Sequence, residues 1–295
     1  MPGLLRVLLL LVAASVSHGG ACAARACLFN ATRSAVKPVF WLHIPKCGTS
    51  FGGAVYHYAC RRGVPAAAAP KPGASEMYML ELLGRYPPEK HCDDGRVKAF
   101  TTPPKGHARV SLKRDAKRIV GLFRSPKQRI ISAYHDGLHA IGQDPRARVA
   151  MQARLRGAKN ESKRIRIFAE AGGISGCQTK MILGRTCASP RVLTVAEVRR
   201  AISILRHDFA FVGLTEDYDE SVCLFHRKLG GLPAWAEFLN VRPGRGSGPE
   251  AYDEAPLAGF VDVADEALYA AAKQIFEDMQ RTFATEDSKE CPQPQ

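Results

Sequence analysis

The fold class follows from residues 39–51, which read VFWLHIPKCGTSF. The apolar run at 39–44 is typical of a buried strand, and apolar side chains then recur at Phe51, Val55 and Tyr58 with helical spacing. The residues between these two patterns include proline and glycine, which favour a turn. The stretch therefore predicts a strand, a tight loop and a helix in immediate succession.

The same order of elements recurs further along the chain. A second apolar run, 119–123, is followed by Arg-Ser-Pro and a helical pattern, in which Pro126 suits the first turn. Residues 207–214 predict a third strand, 218–229 a helix, and 263–283 a last amphipathic helix. Strands that alternate with helices indicate an α/β fold with a mainly parallel sheet covered on both faces.

Composition agrees with a folded protein and narrows the ligand class. The 295 residues are 46% hydrophobic and 24% charged, which excludes fibrous, coiled-coil and wholly disordered chains. Lys and Arg total 42 against 28 Asp and Glu, so the formal net charge is +14. Such an excess favours phosphorylated cofactors, sulfated or uronic-acid glycans, nucleic acid or anionic membranes, and composition does not choose among these.

The N-terminal residues predict entry into the secretory pathway. Residues 1–24 carry one Arg, an apolar run and then small residues, which is the pattern of a cleaved signal peptide or of a short signal anchor that attaches the protein to a membrane. Cys177 and Cys187 bracket a short segment, which favours a local disulfide in an oxidising compartment. Asn30 and Asn160 each begin a sequon for N-glycosylation. The cysteine and histidine spacings do not predict a zinc site.

The first strand-to-helix junction has the residues of an anion-binding loop. Gly48, Thr49 and Ser50 bring backbone N–H groups to a helix N-terminus, where unpaired donors and the helix dipole bind phosphate-like groups. Lys46 adds a mobile cation. The loop lacks the glycine and the Gly-Lys order of the nucleotide-triphosphatase motif, which weakens a kinase interpretation.

The second junction offers a guanidinium and a hydroxyl. Arg124 leaves the end of the second strand, and Ser132 lies eight residues on in the following helix. Together they can bind a terminal phosphate, the Arg through a charge-assisted fork and the Ser through one hydrogen bond. Thr215 ends the third strand at the edge where an α/β sheet places its ligand.

Four segments together resemble a known family. HIPKCGTSF at 43–51 and LFRSPKQRIISAY at 122–134 are similar to the donor-binding pair of sulfotransferases, and GCQTKMILG at 176–184 and FVGLTEDY at 211–218 follow in the order of that group. The likeness is greatest to the Golgi carbohydrate sulfotransferases of the heparan sulfate 2-O- and 6-O-sulfotransferase type. It implies a P-loop-like, three-layer α/β domain over residues 38–285 and a location in the Golgi lumen, with 286–295 as a tail.

The resemblance also implies a donor and the residues that bind it. The donor would be 3′-phosphoadenosine 5′-phosphosulfate, used as a co-substrate without a metal. Residues of the first junction would hold the 5′-phosphosulfate: Lys46, Cys47, Gly48, Thr49, Ser50 and Phe51. Arg124 and Ser132 would hold the 3′-phosphate. The position of Thr215 at the end of the third strand, and not the resemblance, makes it the candidate contact for the adenine.

Sulfuryl transfer resembles phosphoryl transfer, in which in-line positioning and electrostatic stabilisation supply most of the rate. Lys46 is the candidate that stabilises the bridging oxygen, and His107, between the two donor motifs, is the candidate general base. We expect His43 to be a packed structural residue. His135 and His139 are four apart on one helix, but no acidic third ligand accompanies them in the manner of the His-Glu-x-x-His motif, so we do not expect a metal pair.

The acceptor is left open by the sequence. A polysaccharide, the glycan of a glycolipid, a small alcohol and a protein Tyr all offer hydroxyls. The family likeness and the basic surface favour a glycan, anionic or neutral, and no nucleic-acid partner is expected. The many Arg between 146 and 166 form either an acceptor groove or a solvated helix face. Lys180 is either a ligand contact or a solvated helix charge. Two other classes are a non-catalytic secreted binder of anionic glycans and a P-loop nucleotide kinase.

Overall fold

The computed structural model describes most of the expected domain. The described residues are 39–59, 107, 109–139, 145–230, 233, 235–238 and 251–283. The expected signal segment at 1–24, the sequon at Asn30 and the tail at 286–295 lie outside them. None of the helices in the described ranges combines the length and apolarity that a membrane crossing requires.

Three short strands form one parallel sheet. The strands are Phe40–Trp41 (β1), Ile119–Phe123 (β2) and Phe209–Leu214 (β3), and they lie in the order β1-β2-β3. The α-helices of the described ranges are Phe51–Ala59 (α1), Leu112–Asp115 (α2), Pro126–His135 (α3), Pro145–Arg156 (α4), Glu161–Ala169 (α5), Cys177–Ile182 (α6), Val195–Asp208 (α7), Tyr218–Leu229 (α8) and Val263–Phe283 (α9). Short 3-10 helices span Trp235–Phe238 and Ala255–Leu257. The protein is therefore α/β, with a small parallel sheet and mostly helix.

The parallel arrangement brings the candidate ligand-binding segments to one edge of the sheet. Both strand pairs are parallel, and Phe123 lies opposite Leu214 at the end of β2 and β3. The N–H of Thr215 donates to the carbonyl of Phe123 over 2.8 Å, so the pairing continues one residue further. The loop after β1, Arg124 after β2 and Thr215 after β3 consequently leave the sheet at the same edge.

Two strand boundaries differ from the sequence prediction. Regular pairing of the run 39–44 stops at Trp41, because the chain turns into the loop and the N–H of Cys47 donates to the carbonyl of Ile44 over 3.1 Å. The third strand begins two residues later than predicted, since α7 continues through Asp208. Both differences shorten the strands.

Aromatic packing fixes α1 against the third strand and α8. The ring of Phe51 stacks on Phe211 with centroids 5.8 Å apart and meets the ring of Phe225 edge-on at 5.2 Å. All three side chains are fully buried. Burying one such side chain contributes about 1.5–3 kcal/mol, and an aromatic pair adds about 0.5–1.5 kcal/mol. The loop that precedes Phe51 is therefore attached to a rigid helix end.

The predicted disulfide between Cys177 and Cys187 is confirmed. Their Cα atoms are 4.3 Å apart, and the bridge joins the start of α6 to the turn that follows it. Cys223 is also disulfide-bonded. Cys47, in the loop after β1, is a buried free thiol.

Candidate functional site

The loop between β1 and α1 contains two residues in the left-handed backbone conformation. Lys46 and Gly48 both have positive φ angles, 67° and 74°. A Cβ atom on Gly48 would lie 2.5 Å from Cδ1 of Leu122 in the neighbouring strand. Glycine is favoured here for two reasons, the left-handed conformation and the close approach of the Leu122 side chain.

The loop presents backbone N–H groups at the start of α1. The N–H of Phe51 donates back to the carbonyl of Gly48 over 3.0 Å and closes the first turn. Within the described ranges no protein group accepts a hydrogen bond from the N–H of Gly48 or of Thr49. Unpaired N–H donors beside a helix N-terminus can bind an anion, and the anion-binding role of this loop stays a prediction.

The second junction contacts the first directly. The guanidinium of Arg124 donates a hydrogen bond to the carbonyl of Lys46 over 3.2 Å. Its Cζ lies 5.6 Å from the ring centroid of Tyr252, a cation–π contact. These two contacts hold Arg124 beside the loop. In the predicted site Arg124 would bind one end of a bisphosphate ligand and the loop would bind the other end. Tyr252 had no signal in the sequence, since it lies outside the predicted strands and helices.

The side chain of Gln178 joins both junctions. Its Oε1 accepts from the N–H of Arg124 over 3.0 Å, and its Nε2 donates to the carbonyl of Arg124 over 2.8 Å. The thiol of Cys47 donates to the same Oε1 over 3.5 Å. Burial raises the pKa of that thiol to about 12, so Cys47 is a packed neutral group and not a nucleophile.

Buried carboxylates anchor the helix that carries Gln178. Asp265 accepts from the N–H of Gln178 over 3.0 Å and from the N–H of Thr179 over 2.9 Å, while Asp262 accepts from the N–H of Gly176 over 2.8 Å. Burial, followed by the neighbouring Asp265, raises the pKa of Asp262 to about 7. The start of α6 is thus fixed by the start of α9.

Lys180 is buried and is not a solvated helix charge. Its Nζ donates to the carbonyl of Ser175 over 2.7 Å. Burial lowers its pKa. In this position its ammonium stabilises the segment before α6, which removes the support for a ligand contact.

Two hydroxyls predicted at the site have different surroundings. Ser132 lies on the buried side of α3 and is 4% exposed. Among the described residues the buried Oγ1 of Thr215 has no hydrogen-bond partner, which is uncommon for a buried hydroxyl.

Glu216 is a site residue that the sequence did not single out. Its Oε1 accepts from the N–H of Ser125, at the start of α3, over 2.9 Å. Its Oε2 accepts from the hydroxyl of Tyr269 over 3.1 Å. A carboxylate therefore occupies the helix N-terminus beside Arg124, where it competes with an anionic ligand.

Three histidines form a chain of contacts beside the loop. His107 Nδ1 lies 2.8 Å from the carbonyl oxygen of His43, and its Nε2 lies 3.1 Å from Nε2 of His139. His43 Nε2 lies 3.2 Å from Oγ1 of Thr49, and its ring stacks on Trp41. His43 is partly packed, as predicted, but it also connects the loop to His107.

Asp136 links this histidine chain to the loop lysine. Its Oδ2 lies 3.1 Å from Nζ of Lys46 and 3.5 Å from Nδ1 of His139. His135 instead faces Glu161 at 3.9 Å and stacks on Tyr252, so the two histidines of α3 and the turn after it do not form a pair. In the described part of the chain no group of three side chains is arranged to bind a metal ion.

Comparisons with known proteins do not assign a family or a function to the chain. No family model, no curated protein and no solved structure matches the chain.

Proposed function

We propose that the protein is a sulfotransferase with the P-loop-like, three-layer fold of that group. In this proposal a sulfuryl group moves from 3′-phosphoadenosine 5′-phosphosulfate to a hydroxyl of an acceptor, most suitably a glycan in the Golgi lumen. The observation that carries the proposal is the contact between Arg124 and Lys46, because it brings a phosphate-binding guanidinium to the edge of an anion-binding loop.

The loop supplies binding and charge stabilisation. The N–H groups of Gly48 and Thr49 would hold the 5′-phosphosulfate, with Ser50 and Phe51 setting the helix end behind them. The ammonium of Lys46, held in place by Asp136 at 3.1 Å, would stabilise the bridging oxygen as the sulfur–oxygen bond breaks.

The second junction would bind the other end of the donor. Arg124 supplies a charged fork for the 3′-phosphate, and the orphaned hydroxyl of Thr215 supplies a donor toward the nucleoside. Ser132 keeps its expected role in phosphate binding. Tyr252 packs against the guanidinium and limits its rotamers, which lowers the entropy lost on binding.

His107 has the tautomer that a general base requires. A carbonyl oxygen only accepts hydrogen bonds, so the contact with His43 O places a proton on Nδ1. In the neutral ring the lone pair is then on Nε2. As the acceptor oxygen attacks sulfur, His107 takes the hydroxyl proton at this nitrogen.

The basic helices α4 and α5 supply a surface for an anionic acceptor. Their exposed cations, on the two helices and the turn between them, are Arg146, Arg148, Arg154, Arg156, Lys159, Lys163 and Arg164. Such a surface attracts uronic-acid or sulfated glycans from solution. Contacts at the site would then determine the orientation of the bound glycan.

Two measurements test the proposal. Calorimetry should detect binding of adenosine 3′,5′-bisphosphate without Mg²⁺ and weaker binding of ATP with Mg²⁺, and labelled sulfate should pass from the donor to at least one member of a panel of desulfated glycans. Gly48→Ala should abolish the binding, whereas Gly259→Ala, where a Cβ meets no atom within 4 Å, is the matched control. A kinase would prefer ATP with Mg²⁺. A non-catalytic glycan binder would ignore the bisphosphate, and either result would overturn the proposal.

A further inference from the structure

Asn160 combines a glycosylation sequon with a structural role at the start of a helix. It begins the sequence Asn-Glu-Ser at 160–162, and it is also the N-cap residue of α5. Its Oδ1 accepts a hydrogen bond from the N–H of Lys163 over 2.9 Å. Among the described residues no group accepts a hydrogen bond from its amide nitrogen, Nδ2. The cap therefore uses the oxygen of the side chain and leaves the nitrogen open to modification.

The sequon lies on the surface of the protein. Asn160, Glu161 and Ser162 are all exposed, at the junction between α4 and α5. The apolar sides of the two helices face inward, where Leu155 and Phe168 are buried. A bulky hydrophilic group on Nδ2 would consequently extend into solvent without disturbing the core.

We infer that Asn160 carries an N-linked glycan and that this glycan covers part of the basic surface of α4 and α5. In the secretory pathway, which residues 1–24 predict, the donor is an oligosaccharide joined to a lipid diphosphate. Nδ2 gives one proton to a base of the transferring enzyme and bonds to the anomeric carbon of the first sugar. The bond from that carbon to the diphosphate oxygen breaks, and its electron pair leaves with the lipid diphosphate. Oδ1 is unchanged, so the cap of α5 is retained.

The glycan is attached among the cations of this surface. Lys159 directly precedes Asn160, and Lys163 and Arg164 follow it by three and four residues. Positions three and four apart at a helix surface are neighbours, with Cβ atoms ~5–6 Å from each other. All three cations are exposed. A branched glycan at Asn160 is larger than this spacing, so it keeps a polyanion away from these cations.

The basic surface adjoins the candidate site. Nη2 of Arg148 donates to the carbonyl of Gly137 over 3.1 Å, one residue after Asp136. Oε1 of Glu161, the middle residue of the sequon, lies 3.9 Å from Nδ1 of His135 on α3. An anionic acceptor that reaches the site along α4 and α5 would therefore meet the glycan. This consequence for the acceptor rests on the proposed function, whereas the modification of Asn160 does not.

Peptide mapping tests the modification. The protein is expressed in cultured mammalian cells and treated with peptide N-glycosidase in heavy-oxygen water, which leaves a labelled aspartate in place of each glycosylated asparagine. Position 160 should be labelled in the wild type and in Ser162→Thr, which keeps the sequon, and should be unlabelled in Ser162→Ala. An unmodified Asn160 in a wild type that has formed the Cys177–Cys187 disulfide would overturn the inference, because the disulfide shows that the chain passed through an oxidising compartment. Retention of the chain in the cytosol would overturn it as well.

Chromatography on immobilised heparin tests the covering of the basic surface. Ser162→Ala should elute at a higher salt concentration than the wild type and Ser162→Thr, because more cations are then open to the polyanion. Binding of adenosine 3′,5′-bisphosphate should be equal in the three proteins. Coincident elution of Ser162→Ala and a glycosylated wild type would contradict the covering of this surface. Absence of sulfate transfer by all three would overturn the proposed function, while peptide mapping and elution would still decide the inference.

Discussion

The guanidinium of Arg124 donates a hydrogen bond to the backbone carbonyl of Lys46 over 3.2 Å, although 78 residues separate the two in sequence. Lys46 has a positive φ angle, and this unusual backbone conformation of the loop sets the direction in which the Lys46 carbonyl points. Each junction thus sets the position of the other, and a ligand that binds both meets an arrangement formed before it arrives.

Replacement of Arg124 should weaken donor binding. Arg124→Ala removes a charged hydrogen-bond donor, which contributes about 1.5–3 kcal/mol to binding of adenosine 3′,5′-bisphosphate. Calorimetry on the variant and on Arg200→Ala, an exposed position of α7, measures the effect. Equal affinity of wild type and Arg124→Ala would remove this residue from the site.

Replacement of His107 should lower turnover and spare donor binding. A general base acts only as the acceptor attacks, so His107→Ala should reduce kcat by at least ~10²-fold and leave the affinity for adenosine 3′,5′-bisphosphate nearly unchanged. Steady-state sulfate transfer and calorimetry together test this. Near-normal turnover would show that another group accepts the proton.

Neutralising Glu216 should tighten donor binding. Its carboxylate occupies the N-terminus of α3 beside Arg124, where it opposes an anionic ligand. Glu216→Gln keeps an oxygen that accepts from Ser125 N–H and removes the charge, so binding of adenosine 3′,5′-bisphosphate should strengthen by about 0.3–1 kcal/mol at low ionic strength and by less at high salt. Asp219→Asn on the exposed side of α8 is the control. Weaker binding by Glu216→Gln would show that Glu216 supports the ligand instead of opposing it.

The thiol of Cys47 should be inert in the folded protein. Burial raises its pKa to about 12, and its side chain donates to Gln178, so almost no thiolate is present at pH 8. Peptide mapping after treatment with iodoacetamide should find Cys47 unmodified in the native protein and modified after denaturation without reductant. Labelling of the native protein at the rate of a free cysteine would contradict the buried position.

Asp262 should make the protein less stable at alkaline pH. Burial raises its pKa from 3.8 to about 7 in the folded state, so the folded state binds more protons than the unfolded state between these values. This stability is fully present below about pH 4 and is lost as pH rises through about 7. Asp262→Asn keeps an acceptor for the N–H of Gly176 and cannot ionise.

Urea unfolding at several pH values measures the effect of Asp262. Between pH 5 and pH 8 the free energy of unfolding of the wild type should fall by at least ~1 kcal/mol more than that of Asp262→Asn, the equivalent of about one pKa unit. Asp219→Asn should follow the wild type. Parallel curves for wild type and Asp262→Asn would show that the Asp262 carboxyl titrates normally.

Local patterns in the sequence were sufficient for the elements whose apolar residues repeat regularly along their own length. The strand at 119–123 and the helices at 218–229 and 263–283 have the predicted bounds, because each is defined by its own apolar period. The disulfide between Cys177 and Cys187 was equally local, since only ten residues separate the two.

Some residues of the candidate site contact partners that lie far away in the sequence, and no local sequence pattern could predict these contacts. Gln178 contacts Arg124 across 54 residues, and Glu216 contacts Ser125 across 91. His139 was considered only with His135, because helical spacing relates those two, whereas its ring contact is with His107 from a different segment. For Lys180 the sequence left open a ligand contact or a solvated helix charge, whereas tertiary packing buries the side chain.

The anchoring of α6 by Asp262 and Asp265 has a consequence for how the protein is made. The loop of Lys46 is synthesised early, but the carboxylates that fix its neighbour Gln178 lie about 86 residues after that helix, near the end of the domain. A ribosome adds ~5–20 residues each second, so the nascent chain holds an incomplete binding edge for many seconds. A messenger shortened before codon 262 would therefore yield a chain that contains its sheet segments but lacks the carboxylates that anchor α6, and such a chain would be a substrate for chaperones.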